Sequence, residues 1–240
     1  MKIFVCLLVL TFTINDGLAQ HKTLTLYYPN DSTNVISISN LDSMSIFICG
    51  ASKVDYGGKY YNTVLIGNQC WLKENLDIGT MIQGSQNATE NEEIEKYCYN
   101  NDPNNCTIYG GLYQWQEAMQ YGTSGGSSGI CPEGWHIPTL AEFETLKAAV
   151  NNDGNSLKAI GQGYGNGAGT NTTGFSALLG GNRETNGTFI HIGHLGHLWS
   201  SSLENTLYVY HPYLWDDRSD IPIHIGVYST YGFGVRCIKD

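Results

Sequence analysis

The sequence predicts an α+β domain in which two main helices sit among short antiparallel strands and long loops. Three observations carry the prediction. The 240-residue chain holds 29 glycines and 16 tyrosines but only 14% charged residues, a composition poor in helix formers and too aromatic for a disordered chain. Apolar residues recur at helical spacing in only two places, around Trp115 and around Phe143. Short alternating runs bounded by Gly, Asn and Asp fill much of the rest. The net charge of −10 and the lack of a basic run argue against nucleic acid or an anionic membrane as partner.

At the N-terminus, Met1-Lys2, an uncharged apolar run over residues 3–12 and the small residues of Gly17-Leu18-Ala19 have the form of a secretory signal cleaved before Gln20. The apolar run is too short for a membrane anchor. Cys6 lies inside it, far from the cleavage point, so no lipid is expected on the mature N-terminus. The expected organisation is a signal peptide (1–19), a small β element with a linker (20–53) and a main domain (54–240). The mature chain is expected outside the cytoplasm, whether extracellular, at the cell surface or in the periplasm, and not inserted in a membrane.

Residues 23–28 and 35–39 alternate in polarity around Asn30-Asp31-Ser32 and predict a hairpin, with a further strand over 44–49 and a junction over 50–58. Residues 60–66 predict a strand closed by a Gly67-Asn68 turn. Residues 78–107 are polar and predict loops, with Glu90, Glu92, Glu93 and Glu95 as a solvated acidic face. The first helix is expected within 112–121, after Gly110-Gly111, with Leu112, Trp115 and Met119 on one side. The second opens on the capping box Thr139-Leu-Ala-Glu142 and carries Leu140, Phe143, Leu146 and Val150 as its apolar face. Asn151-Asn-Asp-Gly154 stops it. Residues 161–175 predict a long irregular loop, and from Phe175 onward the chain reads as strands.

Six cysteines follow the signal segment, and no C-x-x-C is among them, which gives little support to a zinc ribbon or a thioredoxin-like redox site. An even number in an exported chain predicts disulfides, although composition leaves many pairings open. Cys98 and Cys106 bracket a polar turn and are paired first, a closure worth roughly 2.6 kcal/mol in the chain-entropy model. Cys131 with Cys237 would close a far longer loop, worth about 4.7 kcal/mol on the same scale, and Cys49 with Cys70 would remain.

Several blocks then carry a family resemblance. Tyr61-Asn-Thr-Val-Leu-Ile-Gly-Asn-Gln-Cys-Trp-Leu-Lys-Glu-Asn-Leu76 resembles the opening of the Fibrobacter succinogenes major paralogous domain. Tyr109-Gly-Gly-Leu-Tyr-Gln-Trp-Gln-Glu-Ala-Met119, Gly129-Ile-Cys-Pro-Glu-Gly-Trp-His-Ile-Pro-Thr139, Gly174-Phe-Ser-Ala-Leu-Leu-Gly-Gly181 and Val235-Arg-Cys-Ile-Lys-Asp240 follow in that family's order. The resemblance covers about residues 54–240. It implies an exported protein of the Bacteroidetes type with a fold related to C-type lectins and to formylglycine-generating enzymes, and no established activity. It also supports the three cysteine pairs above.

Residues 203–231 depart from the family pattern, and function is sought there. Leu207 and Val209 alternate with Tyr208 and Tyr210; Ile221, Ile223, Ile225 and Val227 alternate with Pro222, His224, Gly226 and Tyr228. Period two puts the aliphatic set on a core face and the aromatic and histidine set on the other. Between them His211-Pro-Tyr-Leu-Trp-Asp-Asp-Arg218 reads as a loop rich in residues that anchor binding surfaces. The expected ligand surface is therefore Tyr208, Tyr210, His211, Tyr213, Trp215, Asp216, Asp217, His224 and Tyr228, and the bland alternative is that these aromatics pack against the loop over 161–175. The expected partner is an extracellular glycan or protein.

No catalysis and no cofactor are expected. The sequence lacks the nucleophile elbow, the His-Glu-x-x-His pair and the phosphate loop. Trp215-Asp-Asp217 faintly resembles the Trp-Asn-Asp of calcium-dependent sugar-binding lectins, but the companion Glu-Pro-Asn or Gln-Pro-Asp is missing, which makes Ca²⁺ a minor reading. His191, His194 and His197 recur every third residue, a spacing that does not set all three on one strand face, and are read as mostly solvated. His136 is read as a structural histidine. Two other functions stay open: an enzyme related to the formylglycine-generating proteins, which would need a free thiol, and a purely structural surface or matrix component.

Overall fold

A computed structural model describes residues 22–27, 33–38 and 47–240. The chain divides into two units, Met1–Phe47 and Ile48–Asp240. In the first, β1 (Lys22–Tyr27) and β2 (Thr33–Ile38) pair antiparallel, with Lys22 opposite Ile38 and Tyr27 opposite Thr33. The expected signal peptide, the Asn30-Asp31-Ser32 turn and residues 44–46 of the expected third strand lie outside the described residues. The described end of that strand is a turn instead, since the amides of Ala51 and Ser52 both donate to the carbonyl of Ile48.

The second unit is a mixed α+β domain. It opens on β3 (Lys53–Tyr56), β4 (Lys59–Ile66) and β5 (Gln69–Leu72), an antiparallel meander whose second turn is the expected Gly67-Asn68. On β4, Tyr61, Thr63, Val64 and Ile66 are buried, and on β5 Trp71 and Leu72 are fully so. Two short parallel strands, β6 (Thr80–Met81) and β7 (Glu95–Lys96), then precede α1 (Pro103–Tyr109), α2 (Trp115–Ala118), β8 (Trp135–His136) and α3 (Leu140–Ala149). The remaining strands are β9 (Gly180–Arg183), β10 (Phe189–Ile192), β11 (Leu195–His197), β12 (Tyr208–Trp215), β13 (Ile223–Tyr228) and β14 (Ile238–Lys239).

One five-stranded sheet has the order β3-β4-β5-β14-β8 and the other β10-β9-β11-β12-β13. The last strand thus lies beside the first meander, with Ile238 opposite both Trp71 and His136. Trp71 packs on Phe143 and Phe175, with ring centroids 5.5 Å and 5.7 Å away, and so joins the meander to α3. A second core gathers Tyr61, Leu72, Trp115, Trp199 and Phe233 around the Cys131–Cys237 bridge. All three expected disulfides are present: Cys49–Cys70, Cys98–Cys106 and Cys131–Cys237.

The second helix is as read. The Thr139 side chain accepts from the amide of Glu142, the Glu142 carboxylate accepts from the amide of Thr139, and Asn151 and Asn152 end it with φ of 54° and 60°. The first is shorter than its periodicity suggests. Leu112 is held in a bridge to Tyr97 before the helix begins, and Gln120 and Tyr121 turn left-handed after it, at φ 49° and 58°. The segment 78–107, read as loop, contains β6, β7 and most of α1. Asp102 caps α1 through its side chain and Pro103 takes the first helical position, a legitimate helix start in a segment otherwise poor in helix formers.

Long loops are held by buried cations rather than by apolar packing alone. Lys158 is fully buried, and its Nζ donates to the carbonyls of Gly167, Trp215 (2.6 Å) and Arg218 (2.9 Å). Arg183, 1% exposed, donates to Gly84 O (2.8 Å), Gln86 O (2.9 Å) and Thr230 O (3.2 Å) and lies over the Tyr97 ring. Arg236 donates to Asn75 Oδ1 (3.0 Å) and Phe175 O (2.6 Å). None of the three is ion-paired with a described carboxylate, so carbonyl dipoles supply the solvation that burial removes. Gly167 must be glycine here, because a Cβ would run into the carbonyl of Asp216.

Replacing Lys158 by Met keeps the volume but strands three buried carbonyls. The expected loss is about 3 kcal/mol or more in urea unfolding. A loss below about 1 kcal/mol would mean that the carbonyls find other donors.

Candidate functional site

Strand β12 is the spine of the candidate site. Residues 211–215, read from sequence as loop, are strand; the connection to β13 begins only at Asp216. The strand extends that far because its inner partner β11 pairs with it to the end, Leu195 opposite Trp215 and His197 opposite Tyr213. His211, Tyr213 and Trp215 alternate along it and share one face.

The expected sorting of β12 and β13 into an aliphatic and an aromatic face does not survive in full. Val209 pairs with Val227, but two residues farther along β12 His211 pairs with His224, so β13 carries one extra residue between the pairs. Gly226, at φ 100°, absorbs the resulting bulge. One extra residue inverts the parity of a strand. His224 and Val227 therefore line the same concavity despite their odd spacing. Leu207, assigned to the core face, is 59% exposed.

The sheet β10-β9-β11-β12-β13 curls, since Asn182 and His191 at one side and His224 and Val227 at the other line a single cleft of about 350 Å³. Of the nine expected ligand residues, His211, Tyr213, Trp215, His224 and Tyr228 line it. Tyr208 stands outside but stacks near Tyr228, with centroids 5.2 Å apart. Tyr210, Asp216 and Asp217 are not part of the lining. Asp216 is buried and structural: its carboxylate meets His194 Nδ1 at 2.5 Å, while its amide donates to the His194 carbonyl. Asp217 is exposed, so the two aspartates do not converge as a cation site would require. Among the described residues, no group of three His, Cys, Asp or Glu side chains is placed to hold a metal.

The cleft also contains residues outside the expected ligand set. His197, read as solvated, is partly buried and stacks on Phe233 at 4.4 Å with the planes 10° apart. Phe233 also lies 5.0 Å from His211 and 5.7 Å from Tyr231, so it links three cleft rings. Rings continue from His197 to His211 (5.4 Å) and from His211 to Tyr213 (5.7 Å) and His224 (5.7 Å). Of the His series His191 lines the cleft as well, and Glu184 joins it through Asn182, whose Nδ2 donates to the Glu184 carboxylate at 2.7 Å. These rings pack on one another and on Phe233. Trp215 is tied to the loop over 161–175 through its backbone, since Lys158 bridges Trp215 O and Gly167 O.

Burial acts on two of the imidazoles that line the cleft. Burial, with His224 close by, pulls His211 down to about 3. Burial also holds His197 well below the usual imidazole range, with His211 and His191 adding to the effect. Burial and the neighbouring Glu184 push the Tyr231 hydroxyl up. His197 Nδ1, His211 Nδ1 and Trp215 Nε1 are buried without a protein partner, and all three rings line the cleft. In a neutral imidazole one ring nitrogen donates and the other accepts, so these rings add polar atoms beside aromatic faces. Such a lining suits an uncharged, hydroxyl-bearing ligand.

His136 plays the expected structural role, bridging Glu142 Oε1 (2.9 Å) and Asp240 Oδ1 (2.6 Å). The Glu142 bond raises its pKa, against burial, with Asp240 contributing further.

The two kinds of histidine predict opposite pH dependences. His211 and His197 stay neutral in the fold and take up protons on unfolding, so stability falls as pH drops from about 6.5 toward 3. The stability from His136 is complete below about pH 6.5 and fades as pH rises through its raised value. Urea unfolding at pH 7 and pH 4.5 is expected to show an acid loss about 2 kcal/mol smaller in His211→Phe than in wild type. Equal losses would place His211 in water.

A family model, the Fibrobacter succinogenes major domain, matches residues 64–239. No curated protein and no solved structure matches the chain.

Proposed function

The chain belongs to the Fibrobacter succinogenes major domain family, and on that footing we propose that it is an exported or cell-surface recognition module that binds an extracellular glycan or protein without catalysing a reaction. The observation that carries the reading is the single cleft in which Tyr213, Trp215, His211, His224 and Tyr228 meet. A glycan fits it better than a flat protein surface. Its volume of about 350 Å³ is that of a small-ligand pocket, and its walls offer ring faces for the apolar side of a sugar.

A C-type-lectin-like fold is part of the proposal. Long loops, three short helices and a last strand closed between β5 and β8 support it. The enzyme alternative needs a free thiol, and all six cysteines from Cys49 to Cys237 are in disulfides. Three disulfides also suit an oxidising compartment, and no helix among the described residues is long and apolar enough to cross a membrane.

A glycan and host-protein array, run with and without chelator, tests the reading. Binding is expected to persist in chelator. Trp215→Ala and His224→Ala should each weaken it by about tenfold or more, a change of about 1.4 kcal/mol, while the thermal midpoint of His224→Ala stays near wild type because that side chain is exposed. An array without a hit, or a hit indifferent to both changes, would leave a structural matrix role.

A further inference from the structure

We propose that the cleft between the β4–β5 meander and α1 is a second binding site, for a sugar ring that carries an oxyanion such as a uronate carboxylate or a sulfate ester. The cleft holds about 500 Å³ and shares no lining residue with the aromatic cleft. It goes beyond the recognition site proposed above and stands or falls separately.

Three observations point to that ligand. The first is Arg236, which lines the cleft although only 2% of it is exposed. Its Nε and Nη1 are taken by Asn75 and Phe175, and its plane lies 4.3 Å over the Phe175 ring. Among the described residues Nη2 makes no hydrogen bond. The nearby Glu74 carboxylate is occupied by the amide of Asn62 (2.8 Å) and its Nδ2 (2.7 Å), so the guanidinium has no counter-ion of its own. Burial accordingly pulls Arg236 down to about 9, against the pull of Glu74. A guanidinium with an unengaged Nη2 is well matched to a carboxylate or sulfate oxygen.

The second is the charge of the walls. Lys59 and Lys96 share the single carboxylate of Asp77, and Lys73, also on the wall, is ion-paired with no described residue. The lining carries Lys59, Lys73 and Arg236 against Glu74 and Asp77, a net positive patch in a chain of net charge −10. Excess cations in an acidic protein focus anions on that spot.

The third is the rim. Tyr60 and Ile108 belong to the lining yet are 69% and 58% exposed. They offer an aromatic plane and an aliphatic lip beside the cations, which suits a pyranose ring more than a bare ion. The Cys98–Cys106 bridge fixes the α1 wall that carries Ile108.

Titration of the full chain with glucuronate, glucose 6-sulfate, glucose and inorganic sulfate, followed by NMR or calorimetry, tests the assignment. Glucuronate or the sulfated sugar is expected to bind at least tenfold more tightly than glucose, and the comparison of those two shows which oxyanion is preferred. Lys73→Ala and Tyr60→Ala, both outside the buried core, should each weaken that binding by about fivefold or more. Trp215→Ala in the other cleft should leave it unchanged. Binding of glucuronate and glucose 6-sulfate no tighter than glucose, or indifference to Lys73→Ala, would overturn the site. Inorganic sulfate binding as tightly as the charged sugars, with Tyr60→Ala silent, would overturn the saccharide. Loss of the array hits in Trp215→Ala with charged-sugar binding intact would confirm that the two sites are separate.

Discussion

Burying a cation without a carboxylate is the constraint around which the loops of this domain are arranged. A lysine or arginine removed from water must recover its solvation from fixed dipoles, and here backbone carbonyls provide it. Lys158 can be satisfied only if the turn at Gly167 and the strand end at Trp215 and Arg218 come within reach of one ammonium group. Arg183 makes the same demand of the segments at Gly84–Gln86 and Thr230. Chain stretches with few apolar side chains are thereby given fixed positions. The aromatic cleft inherits its shape from this, since β9 carries Arg183 on one side of it and Trp215 closes the other.

The same economy of charge distinguishes the two clefts. Around β12 burial keeps His197 and His211 uncharged, so that cleft offers ring faces beside neutral imidazoles. Around α1 the cations outnumber the acids and the Nη2 of Arg236 is unengaged, so that cleft offers charge. A single acidic domain can present both because the walls come from different strands and share no residue. A ligand with a neutral ring at one place and an oxyanion at another would meet complementary chemistry at each.

Legibility in the sequence followed the range of the interaction. The capping box at Thr139, the left-handed stop at Asn151 and the Gly67-Asn68 turn depend on residues within a few positions of one another, and each was readable. The cysteine pairs were readable once chain closure and the family blocks were weighed together. Helix α1 was missed because its own residues favour it weakly; the Asp102-Pro103 start was the only local signal, and the bridge from Cys98 to Cys106 holds the rest. The helix over 112–121 was read too long because Leu112 is claimed by Tyr97, a partner that no periodicity reveals. In the candidate site, Tyr213 and Trp215 were readable as a concentration of anchoring residue types. Asp216 was misread because its role is set by His194, far along the chain, and His197 was misread because its partners, Phe233 and His211, are distant in sequence.

What the sequence determined by itself is therefore the set of local torsions, the cysteine framework and the residue types available near the C-terminus. What only the tertiary structure decided is which of those residues face a common space. A one-residue bulge at Gly226 inverts the parity of β13, pairing with β11 carries β12 as far as Trp215, and a buried lysine holds the chain just beyond. Parity and closure are long-range properties, since they depend on the register of one strand against another and on which distant carbonyls a buried charge can reach. Neither can be read from the lining residues one at a time, although Gly226 is among them.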